Sequence, residues 1–155
     1  MASDSAILYR SMHRSIPQMG CAIVSSMEDS IFTKIINHEI PAEFIYEDEH
    51  CIVIPDRFPS MLGQALVIPK QQETYIFALD DDTYHHLMDV TKKIGCAMDK
   101  AFNTIRTCIV IEGFEVPHVH IKLYPCTQEK MAWEPKKEVT DEKLKEISEQ
   151  IKAHL

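Results

Sequence analysis

From His118 to Leu123 polar and apolar residues alternate without a break. His118, His120 and Lys122 fall on one side of an extended chain, and Val119, Ile121 and Leu123 on the other. The period predicts a strand with one buried face, bracketed by Pro117 and Pro125, because proline suits strand ends better than a central ladder. Ile105–Ile111 is rich in β-branched residues and predicts a neighbouring strand. The short Glu112–Glu115 connection, where Gly113 supplies backbone freedom, makes that pair antiparallel. Upstream, Glu43–Glu49, Cys51–Asp56 and Gln64–Pro69 read as three more strands, the last two parted by a turn with Pro59 and Gly63.

Helical spacing interrupts the strands in three places. Ile31, Phe32, Ile35 and Ile36 predict one short helix that stops before Pro41. Asp80, Asp81 and Asp82 open a long helix, since acids suit the positive end of a helix dipole. Its buried stripe is Tyr84, Leu87, Met88, Thr91, Ile94, Met98 and Phe102. Thr140 is an N-cap for a final helix carrying Leu144, Ile147, Ile151 and Leu155 on one face. The order α, β-β-β, α, β-β, α predicts the α+β class on an antiparallel sheet.

The length of 155 residues predicts one domain, and 45% hydrophobic residues suffice for its core. No apolar run approaches the ~18 residues of a membrane span, so no membrane partner is expected. A formal net charge of −8 argues against non-specific binding of nucleic acid. Cys21, Cys51, Cys96, Cys108 and Cys126 are odd in number and irregularly spaced, the pattern of free thiols in a reducing cytoplasm. Residues 1–27 carry Arg10 and Arg14, several serines and almost no acid, and read as an N-terminal extension. An organelle-targeting segment is the minority reading of the same stretch.

In so acidic a chain the row at 118–122 stands out. Its polar groups lie roughly 6.5–7 Å apart and suit an anion, above all a phosphate. A neutral imidazole at His120 is a good nucleophile toward phosphorus, provided its other ring nitrogen donates to a fixed acceptor such as a backbone carbonyl. His118 and Lys122 can then hold the non-bridging oxygens and stabilise the charge that builds there. No metal is required by this route. A zinc site on the His-x-His pair needs a third ligand that the surrounding sequence does not supply.

These residues resemble a known family. Glu115-Val-Pro-His-Val-His-Ile-Lys-Leu-Tyr-Pro125 is similar to the histidine triad (HIT) signature, His-x-His-x-His followed by two apolar residues. Ile31-Phe-Thr-Lys-Ile35, Glu39-Ile-Pro41, Tyr46-Glu-Asp48, Asp56-Arg-Phe-Pro59 and Gly63-Gln-Ala-Leu-Val-Ile-Pro-Lys70 match the family's opening in order. The resemblance spans about residues 29–128 and implies three parts: an extension (1–27), a HIT domain (28–128) and a C-terminal tail and helix (129–155). It also implies a five-stranded antiparallel sheet with a long helix and short flanking helices, continued across a homodimer. The implied activity is nucleotide hydrolysis or transfer at the α-phosphate through a nucleotidyl-histidine intermediate, with no cofactor. The implied alternatives are a catalytically weak nucleotide- or partner-binding protein and a phosphorylase-type transferase.

By resemblance, His120 is the nucleophile and His118 its support, while Asp56 binds the ribose hydroxyls. Ile31, Phe32, Ile35 and Ile54 wall the base, and Gly113 and Val116 belong to the phosphate loop. Several positions depart from the family pattern. Lys122 stands where the third histidine belongs; related uridylyltransferases and phosphorylases carry Gln there. Ile111 replaces a common Asn, and Phe114 and Glu115 replace a Gln–Ser pair that contacts the phosphate or leaving group. Arg57 replaces an apolar base-pocket residue. Ser30 and Thr33 occupy positions where some members have zinc-binding cysteines, so no structural zinc is expected. Trp133 lies in a tail that in some members reaches the partner's site.

Overall fold

The computed structural model describes residues 28–129 and 135–155. The expectations for the 1–27 extension, for Cys21 and for Trp133 lie outside these residues. Helix α1 (Ile31–Ile36) precedes strands β1 (Tyr46–Glu47), β2 (Cys51–Pro55) and β3 (Ala65–Pro69). The long helix α2 (Asp81–Phe102) follows, then β4 (Arg106–Glu112), β5 (His120–Cys126) and α3 (Asp141–Lys152). The five strands form one antiparallel sheet in the order β1-β2-β3-β5-β4. This is the α+β architecture expected of the sequence.

Alternation along each strand sends side chains to opposite faces, and both faces are covered. Val53, Val67, Ile121 and Leu123 pack with Leu87, Ile94 and Met98 of α2 and with Ile147 and Ile151 of α3. Ile52, Ile54, Leu66 and Ile68 form a second layer with Phe32 and Ile35 of α1. Truncating a fully buried residue such as Ile68 to alanine costs about 2–5 kcal/mol. Cross-strand pairing places Ile54 opposite Leu66 and Leu66 opposite Lys122, so Lys122 shares the α1 face with the second layer. Glu112 pairs directly with His120 on that same face.

The local causes of the elements are visible in their ends. Ser30 caps α1 and Asp80 caps α2, each accepting from the backbone N–H three residues on. Asn103 ends α2 in the left-handed region (φ 50°). Asp48 fastens the β1–β2 turn to α2: one oxygen accepts from the N–H groups of His50 and Cys51, the other from the Tyr46 hydroxyl and from His86. These contacts hold the Asp48 carboxyl well below the usual range although its burial opposes them.

The boundaries differ from the sequence expectations in four respects. β1 is two residues long, not seven, because only Tyr46 and Glu47 pair with β2. His118 is not in a strand; the chain bends there and β5 begins at His120. Pro125 does not end β5. The β3 ladder stops at the Ala65–Leu123 pair, so the strand has β4 as its single neighbour at Pro125 and tolerates the missing donor. Leu155 lies beyond α3 and is exposed, and Val90 and Ala97 join the buried stripe of α2. Edge strand β4 leaves Ile109 and Val110 largely exposed. None of the helices among the described residues is long and apolar enough to cross a membrane.

Candidate active site

His118 is fully buried beneath the sheet's α1 face. Its Nε2 lies 2.8 Å from the carbonyl of Pro69, which can only accept, so the proton belongs on Nε2. Its Nδ1, 2.8 Å from Ser30 Oγ, then accepts from that hydroxyl. Ser30 is held in turn: its N–H donates to Gln72 Oε1, which also accepts from the Thr33 hydroxyl. Burial depresses the His118 pKa, the Pro69 carbonyl opposes this, and the neighbouring His120 adds to it. His118 is therefore a neutral, fixed ring.

The backbone carbonyl of His118 accepts from His120 Nδ1 at 2.8 Å. In the neutral ring this bond puts the proton on Nδ1 and leaves Nε2 as the unprotonated nitrogen. The Phe32 ring packs edge-on against His120 with centroids 5.0 Å apart, fixing the plane of the imidazole.

Facing Nε2 is a cluster of charge. Glu112 Oε1 lies 2.9 Å from His120 Nε2 and 2.7 Å from Lys122 Nζ, at ion-pair distance but without the alignment of a hydrogen bond. The other Glu112 oxygen accepts from the N–H groups of Phe114 and Glu115 and so shapes the loop. Burial works against the Glu112 carboxylate, yet Lys122, these two N–H groups and His120 outweigh it and bring its pKa down to about 2. Lys122 also donates to Glu115 Oε2 at 2.9 Å, and Lys136 contacts the second Glu115 oxygen. Burial disfavours the Lys122 ammonium, but Glu112 and Glu115 raise its pKa above the ordinary lysine value.

His120, Lys122, Glu115 and Lys136 form one wall of a cavity of about 350 Å³, which Glu112 does not itself line. The opposite side is apolar, built from Ile31, Phe32, Ile35 and Ile54 together with Leu66, Val116 and Leu144. Asp56 sits at the cavity beyond the end of β2, its carboxylate accepting from Phe58 N–H and from Gln64 Nε2. Burial raises its pKa, while the Phe58 N–H and the cations Lys122 and Lys136 pull the other way. Asp56 is thus a desolvated carboxylate with capacity to accept from two vicinal hydroxyls.

Of the residues singled out from the sequence, ten line the cavity: Ile31, Phe32, Ile35, Ile54, Asp56, Arg57, Glu115, Val116, His120 and Lys122. His118 stands behind His120 as its support. Arg57 reaches the rim, but its guanidinium pairs with Asp141 and Glu138 of the C-terminal segment. Phe114 is almost wholly exposed and does not line the cavity. Gly113 does not line it either. It lies against the Thr74 carbonyl, where a Cβ would come within 2.1 Å of the oxygen. Glu112, Lys136, Gln72 and Leu144 were not foreseen. The Glu112–His120 register and the fold of the C-terminal segment bring the first two in, and neither is contained in a local pattern.

A model of the HIT domain matches residues 37–128, more than half of the chain. The chain belongs to the HIT family. This HIT protein is 31% identical over 130 residues to the adenosine 5'-monophosphoramidase of Saccharomyces cerevisiae, covering 81% of this chain and 82% of the relative. It is 27% identical to the adenosine 5'-monophosphoramidase of Schizosaccharomyces pombe, over 81% of this chain and 97% of that one. Among solved structures it resembles a Hit-like protein involved in cell-cycle regulation from Bartonella henselae, with a TM-score of 0.76 and 30% identity over 82% of this chain and 96% of that one. A hypothetical histidine triad nucleotide-binding protein from Sulfolobus tokodaii superposes with a TM-score of 0.71 at 28% identity, over 79% of this chain and 89% of that chain.

Proposed function

We propose that this HIT protein cleaves nucleotide conjugates at the α-phosphate through a covalent intermediate on His120. The supporting observation is the Nδ1 hydrogen bond to the His118 carbonyl, which in the neutral ring leaves an unprotonated Nε2 on a residue that lines the cavity beside Lys122. The apolar slot suits a purine base, and Asp56 suits the ribose.

In the reaction the Nε2 lone pair forms a bond to the α-phosphorus, and the bond from phosphorus to the leaving nitrogen or oxygen breaks. The leaving group departs with the electron pair and takes a proton from solvent, which the later attack of water returns. Water then attacks the same phosphorus, the N–P bond breaks, and the nucleoside monophosphate is released with His120 restored. Lys122 neutralises charge on the non-bridging oxygens in both steps. It cannot accept a proton as a third histidine could, so it serves here as a fixed cation. In the free protein Glu112 Oε1 lies against both His120 Nε2 and Lys122 Nζ. The names of the yeast relatives support a nitrogen-linked adenylate among the substrates.

A second reading, nucleotide binding with little catalysis, is favoured by that same Glu112 oxygen, which stands against the nucleophile. Turnover of adenosine 5'-phosphoramidate, a dinucleoside polyphosphate and an acyl-adenylate separates the two. Wild-type protein is expected to hydrolyse at least one of these. His120→Ala is expected to lose turnover by about 10⁴-fold or more while its affinity for AMP changes by less than about 10-fold. Absence of wild-type turnover on all three, with AMP still bound, sinks the enzyme reading and leaves the binding one.

A further inference from the structure

The C-terminal segment is fastened across the cavity's rim in a way that gives Lys136 a defined task. Val139 N–H donates to the Arg57 carbonyl at 2.9 Å, and the Arg57 guanidinium pairs with Glu138 and Asp141 on either side of that bond. Arg57 follows Asp56 in the chain, so the ribose carboxylate and the segment's anchor are adjacent. Three residues before Val139, Lys136 lines the cavity and closes on Glu115. Glu115 thereby bridges two ammonium groups, Lys122 and Lys136.

The carboxylates that act on Lys122 and Lys136, namely Glu112, Glu115 and Asp56, are not equally free to move. Glu112 is 14% exposed, capped by two backbone N–H groups and set by strand pairing. Asp56 is held by Phe58 and Gln64. Glu115 is 56% exposed, and among the described residues its side chain holds the two lysines alone. It is the internal anion that an incoming anion can displace at least cost.

We propose that Lys136 is a leaving-group residue, forming with Lys122 a two-cation subsite that selects nucleotides whose α-phosphate is joined to a second phosphoryl group. This rests on the nucleotide-cleaving reading above. Lys122, beside His120 on β5, serves the phosphoryl group under attack. Lys136, held on the other oxygen of Glu115, serves the one that leaves. When Nε2 bonds to the α-phosphorus, the bridging P–O bond breaks and the leaving phosphate gains a negative charge. A second cation there is worth more in the transition state than in the ground state. An amine leaving group gains nothing from Lys136, and when protonated it is repelled by both lysines.

The test uses the full chain as wild type, Lys136→Met and Lys136→Arg. Calorimetric titration with AMP and with ADP reads the subsite independently of turnover. Wild type is expected to bind ADP about 10-fold more tightly than AMP, Lys136→Met to lose that preference, and Lys136→Arg to keep it. In rate assays Lys136→Met is expected to lower kcat/KM for diadenosine triphosphate by about 10-fold and for adenosine 5'-phosphoramidate by less than about 2-fold. Lys136 is 44% exposed, so the variants should fold, and an unchanged Tm checks it. Equal wild-type affinity for AMP and ADP overturns this proposal and leaves the nucleotide reading standing. So does an equal loss of kcat/KM on both substrates. Failure to bind either nucleotide overturns both.

Discussion

His120 and Lys122 stand two residues apart on one strand, yet their surroundings differ in kind. His120 is held by a neutral backbone carbonyl that assigns its proton, Lys122 by two carboxylates that keep it charged. The alternation of the sequence placed both side chains on one face, and the need for a carbonyl partner follows from nucleophile chemistry. The same alternation misplaced His118, which lies on a bend with its ring spent on Pro69 and Ser30. Glu112 went unseen because only the strand register reveals that it faces His120. Asp56 yields a prediction at this scale. Its pKa is raised by burial, so the ionised form costs native stability above that folded pKa, and the cost vanishes as pH falls below the unfolded value. Asp56→Asn should therefore leave stability unchanged or raise it by up to about 1 kcal/mol. AMP affinity should fall about 10-fold or more, the scale of a charge-assisted contact to the ribose. Parallel urea unfolding and AMP titration check both halves; a large loss of stability with affinity intact makes Asp56 a structural residue.

Among the elements, the strands and helices with strong periodicity were legible, and the short or paired ones less so. The acidic opening and apolar stripe of α2 and the threonine cap of α3 are local signals and were read directly. β1 shrank because pairing with β2, not composition, decides where a strand ends. β5 ran through Pro125 because β3 stops short of it. The loop from Gly113 to Val116 owes its glycine to the Thr74 carbonyl, a contact between segments far apart in sequence. Edge strand β4 carries the element-scale prediction. Its exposed Ile109 and Val110 and its edge, unpaired among the described residues, suit continuation of the sheet into a second copy of the chain. Sedimentation equilibrium should give the mass of two chains for wild type and of one for Ile109→Glu, with far-UV circular dichroism unchanged. A monomeric wild type at micromolar concentration contradicts the pairing.

At the scale of the molecule, a chain of net charge −8 concentrates cations at one site. Lys122 and Lys136 face one cavity beside His120, and in the free protein Glu115 bridges the two ammonium groups there. The α1 face of the sheet supplies the apolar slot, β5 the nucleophile and its cation, and the chain after Pro135 a closing side. The α+β class and the five strands followed from the order of periodic segments. The covered second face did not, since a strict alternation reads as a half-exposed strand whether solvent or α1 lies against its polar side. Mass spectrometry of the protein quenched in mid-reaction with adenosine 5'-phosphoramidate or diadenosine triphosphate tests the central claim most directly. The account predicts an added adenylyl group on the peptide containing His120, absent in His120→Ala. Turnover with no adduct under any quench, or an adduct on another residue, contradicts it.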